Sequence, residues 1–438
     1  MLLERIVARK TLCLKRLGGD RAGELQAGRF FANPKVTVSK IIDSWSTQTR
    51  LAVADRHVLA IQDRSEIVLP TTPHRRRGLG RVAKGNTYGV LVHAMIAVDA
   101  ETGACLGLVG GDVWTRPEQM ARTVYARPLE ERESIHWSRS SEQAKPILSR
   151  ATRVTVVADR EADVYAQWAS VPDTGFDLLI RAMADRRLAD GGMLFARAAA
   201  FPVADTITMT VNPHEPGKPI RDARLCLRFG EVEIHRPLDK HHHHLSTSVR
   251  LRVIDVRESA PPPGVEPLHW RLLSTHDIDD VSAAWRIVAW YRARWVIEQL
   301  FRTMKSQGLK LEESQLGSAE GLKKMAAVAA KAACIDMQLV QERDGRHGQA
   351  ITTVFSGPEI ETLAALNPGL QGTTSRQKNP HPPDGLAWAA WVIARLGGWN
   401  CYYKPPGPIT MRRGMEQFHA IHRGHRLEIT TQRDVRIL

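Results

Sequence analysis

Residues 289–305 read AWYRARWVIEQLFRTMK, the core of a helical pattern that runs from Asp279 to Met304. At about 100° per residue, Tyr291, Arg294, Glu298 and Lys305 fall within roughly 60° of one another. Trp290, Ile297, Leu300, Phe301 and Met304 form an adjacent apolar stripe. One helix thus presents a core face and, beside it, a phenol, two cations and a carboxylate. Taken alone, Arg294 and Glu298 make an ordinary solvated i,i+4 pair, contributing about a few tenths of a kcal/mol. A functional role for Glu298 requires acidic partners from elsewhere in the chain.

The sequence offers two. HVLAIQD (57–63) and VTVVAD (154–159) are compact apolar runs, each read as a buried strand ending in an acid. Acids at the carboxyl ends of buried strands lie where open α/β sheets place their chemistry. Asp63, Asp159 and Glu298 together would supply oxygen ligands for two hard divalent cations, Mg²⁺ with Mn²⁺ as a substitute. Such a pair clamps the attacking and leaving oxygens of an in-line displacement at phosphorus. Arg294 and Lys305, with Tyr291, are then placed to hold flanking phosphates.

Other segments fill in the architecture. Residues 88–114 hold two apolar runs around the turn-rich break Asp99–Gly103, suited to antiparallel strands. Residues 175–275 alternate apolar and polar positions and read as β-rich, and a second long helical pattern spans Ser318 to Glu342. Beyond the proline-rich NPHPPDG (379–385) comes a Trp-rich helix, LAWAAWVIARLGGW (386–399). The chain of 438 residues carries 61 Lys and Arg against 47 Asp and Glu, a net charge of +14 that points to a polyanionic partner. Five scattered cysteines form no CxxC pair, which argues against a disulfide framework or zinc site and suits a reducing cytoplasm. No signal peptide and no spanning segment is read, so a cytoplasmic location is expected. His93, in an apolar strand, reads as a core histidine, and the run His241–His244 as a loop rather than a metal site. The cluster His74-Arg75-Arg76-Arg77, followed by Gly78, Gly80 and Gly85, suits phosphate contact.

The spacing Tyr-x2-Arg-x3-Glu-x6-Lys at Tyr291, Arg294, Glu298 and Lys305 resembles the YREK signature of the insertion-sequence-four family of bacterial DDE transposases. Asp159-Arg160-Glu161-Ala162-Asp163 is similar to that family's second-Asp motif and Ala60-Ile61-Gln62-Asp63 to its first, with Arg64-Ser65 where the family has Thr-Thr. The Trp-rich helix and Pro405-Pro406-Gly407-Pro408 resemble the family's C-terminal dimerisation segment.

The resemblance implies an α/β fold with an RNase H-like core, a mixed sheet flanked by helices, interrupted by a β-rich insertion and followed by a helical C-terminal segment. Its expected divisions are a shortened N-terminal DNA-binding region (1–52), a catalytic domain (53–345, insertion about 175–275) and a dimerisation region (346–438). It further implies cut-and-paste DNA transposition: strand nicking, hairpin formation, hairpin opening and strand transfer. The partners are double-stranded DNA, as transposon ends and target, and a second copy in a synaptic homodimer. Trp270 and Trp295 match family positions that stack on an extruded base, and Arg181 a DNA contact. Glu161 and Asp163 are read as supports rather than ligands. At the N-terminus, Gly19-Asp20-Arg21 is followed within a few residues by Arg29-Phe30-Phe31-Ala32-Asn33, so most of the family's end-recognition domain is missing. That departure supports an alternative: a remnant that binds DNA or dimerises, and so inhibits transposition. A third reading is an RNase H-like nuclease or resolvase unrelated to the family.

Overall fold

The computed structural model describes residues 2–9, 11–69, 78–82, 87–116, 127–211, 220–305 and 308–435. Its centre is a ten-stranded mixed sheet with helices on both faces. β1 (His57–Leu69) pairs antiparallel with β3 (Tyr88–Asp99), which also holds the short β2 (Gly80–Arg81) and β4 (Cys105–Trp114). On its other side β1 runs parallel to β5 (Arg153–Ala158), and β5 parallel to β6 (Phe176–Arg181). The sheet then continues antiparallel through β10 (His269–Ser274), β9 (Ser248–Glu258), β8 (Arg221–His235) and β7 (Asp205–Val211). The β-rich stretch 175–275 is therefore an extension of one sheet. Its first and last strands, β6 and β10, stand in the central row, and β7–β9 reach outward.

Strand alternation sorts the side chains into two cores. Leu59, Ile61, Val157, Leu179 and Leu272 face α9 (Val281–Ala293), α10 (Trp295–Met304) and α11 (Ala319–Glu342). Val58, Ala60, Val154, Val156 and Ala158 belong to the opposite core, which α6 (Ile135–Ala144), α7 (Tyr165–Ser170) and α8 (Leu194–Ala200) complete. This layering buries both sheet faces, which explains why β1, β3 and β5 read as unbroken apolar runs.

Two sequence expectations are corrected. Asp63 does not end its strand: β1 runs on to Leu69, because β3 pairs with it along the whole length while β5 pairs only as far as Ile61. The helix expected from Asp279 to Met304 is two helices meeting at Arg294, where three-residue hydrogen bonds (Arg294 N to Tyr291 O, Ile297 N to Arg294 O, both 3.1 Å) tighten the turn. Asp280 caps α9 through a 2.7 Å bond from Ala283 N, and Ser318 caps α11.

The first fifty residues form α1 (Leu2–Arg9), α2 (Leu14–Gly18), α3 (Arg21–Ala32), α4 (Val38–Asp43) and α5 (Ser46–Ala52). Two buried lysines of α11 tie them down. Lys324 Nζ donates to the carbonyls of Phe31 (3.0 Å) and Asn33 (2.8 Å), and Lys331 Nζ to Trp45 O and Gln48 Oε1 (both 3.3 Å). Buried ammonium groups need such partners, since burial alone works against their charge.

At the C-terminal end lie α12 (Gly357–Leu370), α13 (Leu386–Leu396) and α14 (Pro408–Val435). The Trp-rich helix α13 turns inward: Trp388 and Trp391 are buried within the chain itself. No helix among the described residues is long and apolar enough to cross a membrane. Gly414 on α14 meets α13 backbone to backbone; a Cβ there would stand 1.8 Å from Ile393 O. Gly414→Ala should therefore lower stability by about 1–3 kcal/mol. Gly424→Ala on the same helix, where an added methyl meets nothing within 4 Å, should raise it by up to about 1 kcal/mol. Chemical denaturation of both variants checks the pair; equal effects would show that the crossing is not close.

Candidate active site

The parallel register of β1 and β5 pairs His57 with Arg153 and Ile61 with Val157. The pairing ends there, and Asp63 and Asp159 each follow two residues later, near enough for the Asp159 charge to act on the Asp63 carboxyl. β6 continues the row, with Ala158 paired to Ile180 and so Asp159 beside Arg181. Each of the three shares its strand face with a residue of the helix-covered core: Ile61, Val157 and Leu179. Asp63, Asp159 and Arg181 therefore point from one sheet face toward α9 and α10.

Arg294 sits where those two helices meet. Its Nη1 donates to Asp63 Oδ2 at 2.8 Å and its Nη2 to Glu298 Oε1 at 2.8 Å, so one guanidinium spans two of the three acids. Burial pushes the Asp63 carboxyl up to about 7. Arg294 and the backbone N–H of Arg64 (2.7 Å) oppose that rise, while the negative charges of Asp159 and Glu298 add to it. Asp63 thus feels the field of both other acids, although among the described residues no three acidic, histidine or cysteine side chains converge closely enough to hold a metal ion. Burial works against the charge on Arg294 itself, but Asp63, Tyr291 and Glu298 outweigh it and hold its proton above the ordinary range.

The remaining residues singled out in the sequence are distributed as follows. Tyr291 is buried, 6% exposed, with its phenol raised by burial; it lies deeper than a polar helix face suggests. Lys305 follows the last residue of α10, where the backbone has left the helix. Trp295 is 43% exposed beside Arg294, whose Cζ lies 5.6 Å from the ring centroid. Trp270 is half-buried on β10, on the same sheet face as the acids, and Arg181 Nη2 donates to His269 O at 3.0 Å. His93 is a core residue bonded to Gln62 (3.0 Å), held neutral by burial that pushes its pKa down to about 3. His242 pairs with Asp239 (2.7 Å) in the loop between β8 and β9. The cluster His74–Arg77, and Gly85, lie outside the described residues.

Supporting contacts fix the two aspartates. Asp159 Oδ1 accepts from Glu161 N at 2.8 Å, closing the turn that follows β5. The carboxylate of Asp163, fully buried, accepts from Met183 N (2.8 Å), Ala184 N (3.3 Å), Trp168 Nε1 (3.2 Å) and the Arg186 guanidinium (2.9 Å). It thereby joins the turn after Asp159 to the loop after Arg181. Arg64 pairs with Glu161 (2.8 Å) and Glu133 (2.7 Å), and Arg116 also pairs with Glu133. Sequence reasoning noticed Arg64 only as a departure from the Thr-Thr pattern. Its role as a tie between β1 and the Asp159 turn depends on partners remote in sequence.

A family model described as a transposase DDE domain matches residues 55–335. Among solved structures, the chain is similar to a piggyBac transposase synaptic complex with hairpin DNA, determined by cryo-EM. That match has 11% identity, covers 73% of this chain and 53% of that one, and has a TM-score of 0.36, so the chain spans about half the length of that protein. The family model takes in well over half of the sequence, including Asp63, Asp159 and Glu298, and on that match the chain belongs to the transposase DDE domain family.

Proposed function

We propose that this chain is a cut-and-paste transposase of the insertion-sequence-four type, cutting and rejoining DNA with Asp63, Asp159 and Glu298 as its catalytic acids. The observation that carries this reading is the Arg294 guanidinium tied at once to Asp63 and Glu298 beneath the row that bears Asp159. The donor set suits a hard divalent cation, Mg²⁺ or Mn²⁺. Burial lifts Asp63 most and repulsion from Asp159 and Glu298 adds to it; a bound cation would favour the charged carboxylate against both. Two such ions, when held there, would supply charge neutralisation at the attacking and leaving oxygens.

The chain's own residues do the rest. Arg294 shares its donors between the Asp63 and Glu298 carboxylates, which with Asp159 would hold a bound cation, and its planar guanidinium suits a bidentate grip on a phosphate. Lys305, at the end of α10, adds a point charge along the same backbone. Trp295, exposed beside Arg294, and Trp270, on the acid-bearing face, offer ring faces for a base displaced during hairpin formation. Nicking, hairpin formation, opening and strand transfer are all phosphoryl transfers, so one set of residues serves every step. In this reading a second copy completes a synaptic homodimer on double-stranded DNA.

Glu298→Gln keeps the shape of the side chain and removes its charge. A lost ligand costs more than the ten- to hundredfold typical of an outer-shell change, so cleavage of the element's end DNA with Mg²⁺ should fall by more than about 100-fold while duplex affinity persists. Wild-type protein that binds end DNA yet never cuts it would replace this reading with that of an inhibitory remnant. Cutting of any structured DNA, indifferent to end sequence, would point to a nuclease or resolvase.

The raised Asp63 carboxyl gives a second expectation. Its folded pKa lies above the unfolded one, so its contribution to stability is complete below pH about 4 and is lost as pH rises through about 7. In chelator, the unfolding free energy of wild type should fall relative to Asp63→Asn between about pH 4 and pH 7, with a limiting slope of about 1.4 kcal/mol per pH unit. Parallel curves would show that Asp63 is not held protonated.

A further inference from the structure

Away from the acids, three separate segments meet around a groove of about 990 Å³. The end of α1 with α2, the connection from α10 to α11, and the first turns of α14 contribute Arg9, Lys15, Arg16, Lys310 and Arg412 to its walls. Two carboxylates, Glu313 and Glu416, also line it. Arg9 is committed to the end of α2, donating to Arg16 O and to Leu17 O (3.2 Å), and Lys310 is paired with Glu313 (3.0 Å). Lys15, Arg16 and Arg412 make no ion pair among the described residues, and Lys15 and Arg16 are exposed.

The groove's position matters as much as its charge. It starts in the connection that follows α10, where Lys310 N donates to Lys305 O at 2.8 Å. Along α10, Lys305 is about 10 Å from Glu298 at 1.5 Å rise per residue. Cations therefore continue from Arg294 through Lys305 to Lys310 and into the groove, and Glu312 of the same connection accepts from Val68 N of β1 (3.4 Å). We propose that this groove takes the sugar-phosphate backbone of duplex DNA, holding a stretch of substrate beyond the scissile bond. The proposal rests on the reading above for the identity of the substrate. Unpaired cations drawn from two of these segments, Lys15 and Arg16 on α2 and Arg412 on α14, beside a centre for phosphodiester chemistry and in a chain of net charge +14, match a polyanion of regular charge spacing.

The test is duplex binding in chelator, read by fluorescence anisotropy of a labelled 30-base-pair probe against salt. The triple variant Lys15→Gln, Arg16→Gln, Arg412→Gln should bind at least about tenfold more weakly, with a log–log salt slope shallower by about 2.7, at about 0.9 for each phosphate no longer neutralised. A control triple, Arg224→Gln, Arg250→Gln and Arg257→Gln on β8 and β9, removes equal charge from a different surface and should leave the slope near wild type. Equal loss in both triples, or an unchanged slope in the groove triple, would overturn the proposal, as would loss of single-stranded binding alone. Should the groove triple fail to fold, Lys15→Gln and Arg16→Gln singly should each lower the slope by about 0.9. Because no metal is present, inactive wild-type protein would sink the catalytic reading while leaving this result standing.

Discussion

The parallel pairing of β1 with β5 governs the geometry of the candidate site. Register sets Ile61, Val157 and Leu179 in one row, and Asp63, Asp159 and Arg181 each follow two residues after one of them. A slip of one residue would send Asp63 to the α6–α7 side and replace it with Gln62, now buried and bonded to His93 and Ser141. The candidate acids thus follow directly on the paired, buried Ile61 and Val157. The cost of burying a carboxyl group, to which the charges of Asp159 and Glu298 add, is visible in Asp63, whose proton is held up to about 7. Arg294 offsets part of it.

How much of this was legible in the sequence follows from how local each signal is. β1 and β5 were readable because burial on both faces leaves nearly continuous apolar runs, and the acids stood out as the charged residues that close HVLAIQD and VTVVAD. That β1 continues past Asp63 was not readable, since it depends on β3, whose pairing partner is set by the fold. The helix break at Arg294 was hidden because no glycine or proline stands near it and the apolar spacing runs on across it. Tyr291 appeared on the polar flank of the helical wheel, yet α9 and α10 lie deep enough against the sheet to bury that flank as well. The Trp-rich helix illustrates a general ambiguity: an apolar face states that it must be covered, and says nothing of whether the cover is another chain or, as for Trp388 and Trp391 here, its own.

Remote partners explain the remaining gap. Arg64 meets Glu133 and Glu161 from different parts of the chain, and Lys324 and Lys331 reach back to carbonyls of the first fifty residues. None of these contacts has a periodicity, so none is visible before folding. The N-terminal helices, short as they are, become part of the body through those buried ammonium groups, and that attachment brings Lys15 and Arg16 alongside the connection leaving α10.

The Asp163 carboxylate has one further consequence. By collecting donors from Met183, Ala184, Trp168 and Arg186, it fastens two loops that would otherwise wander independently at the open end of the parallel strands. The alignment of Asp159 with its neighbours is then settled during chain folding and not afresh at each encounter with substrate. Pre-organisation of this kind moves an entropic burden out of the reaction and into biosynthesis.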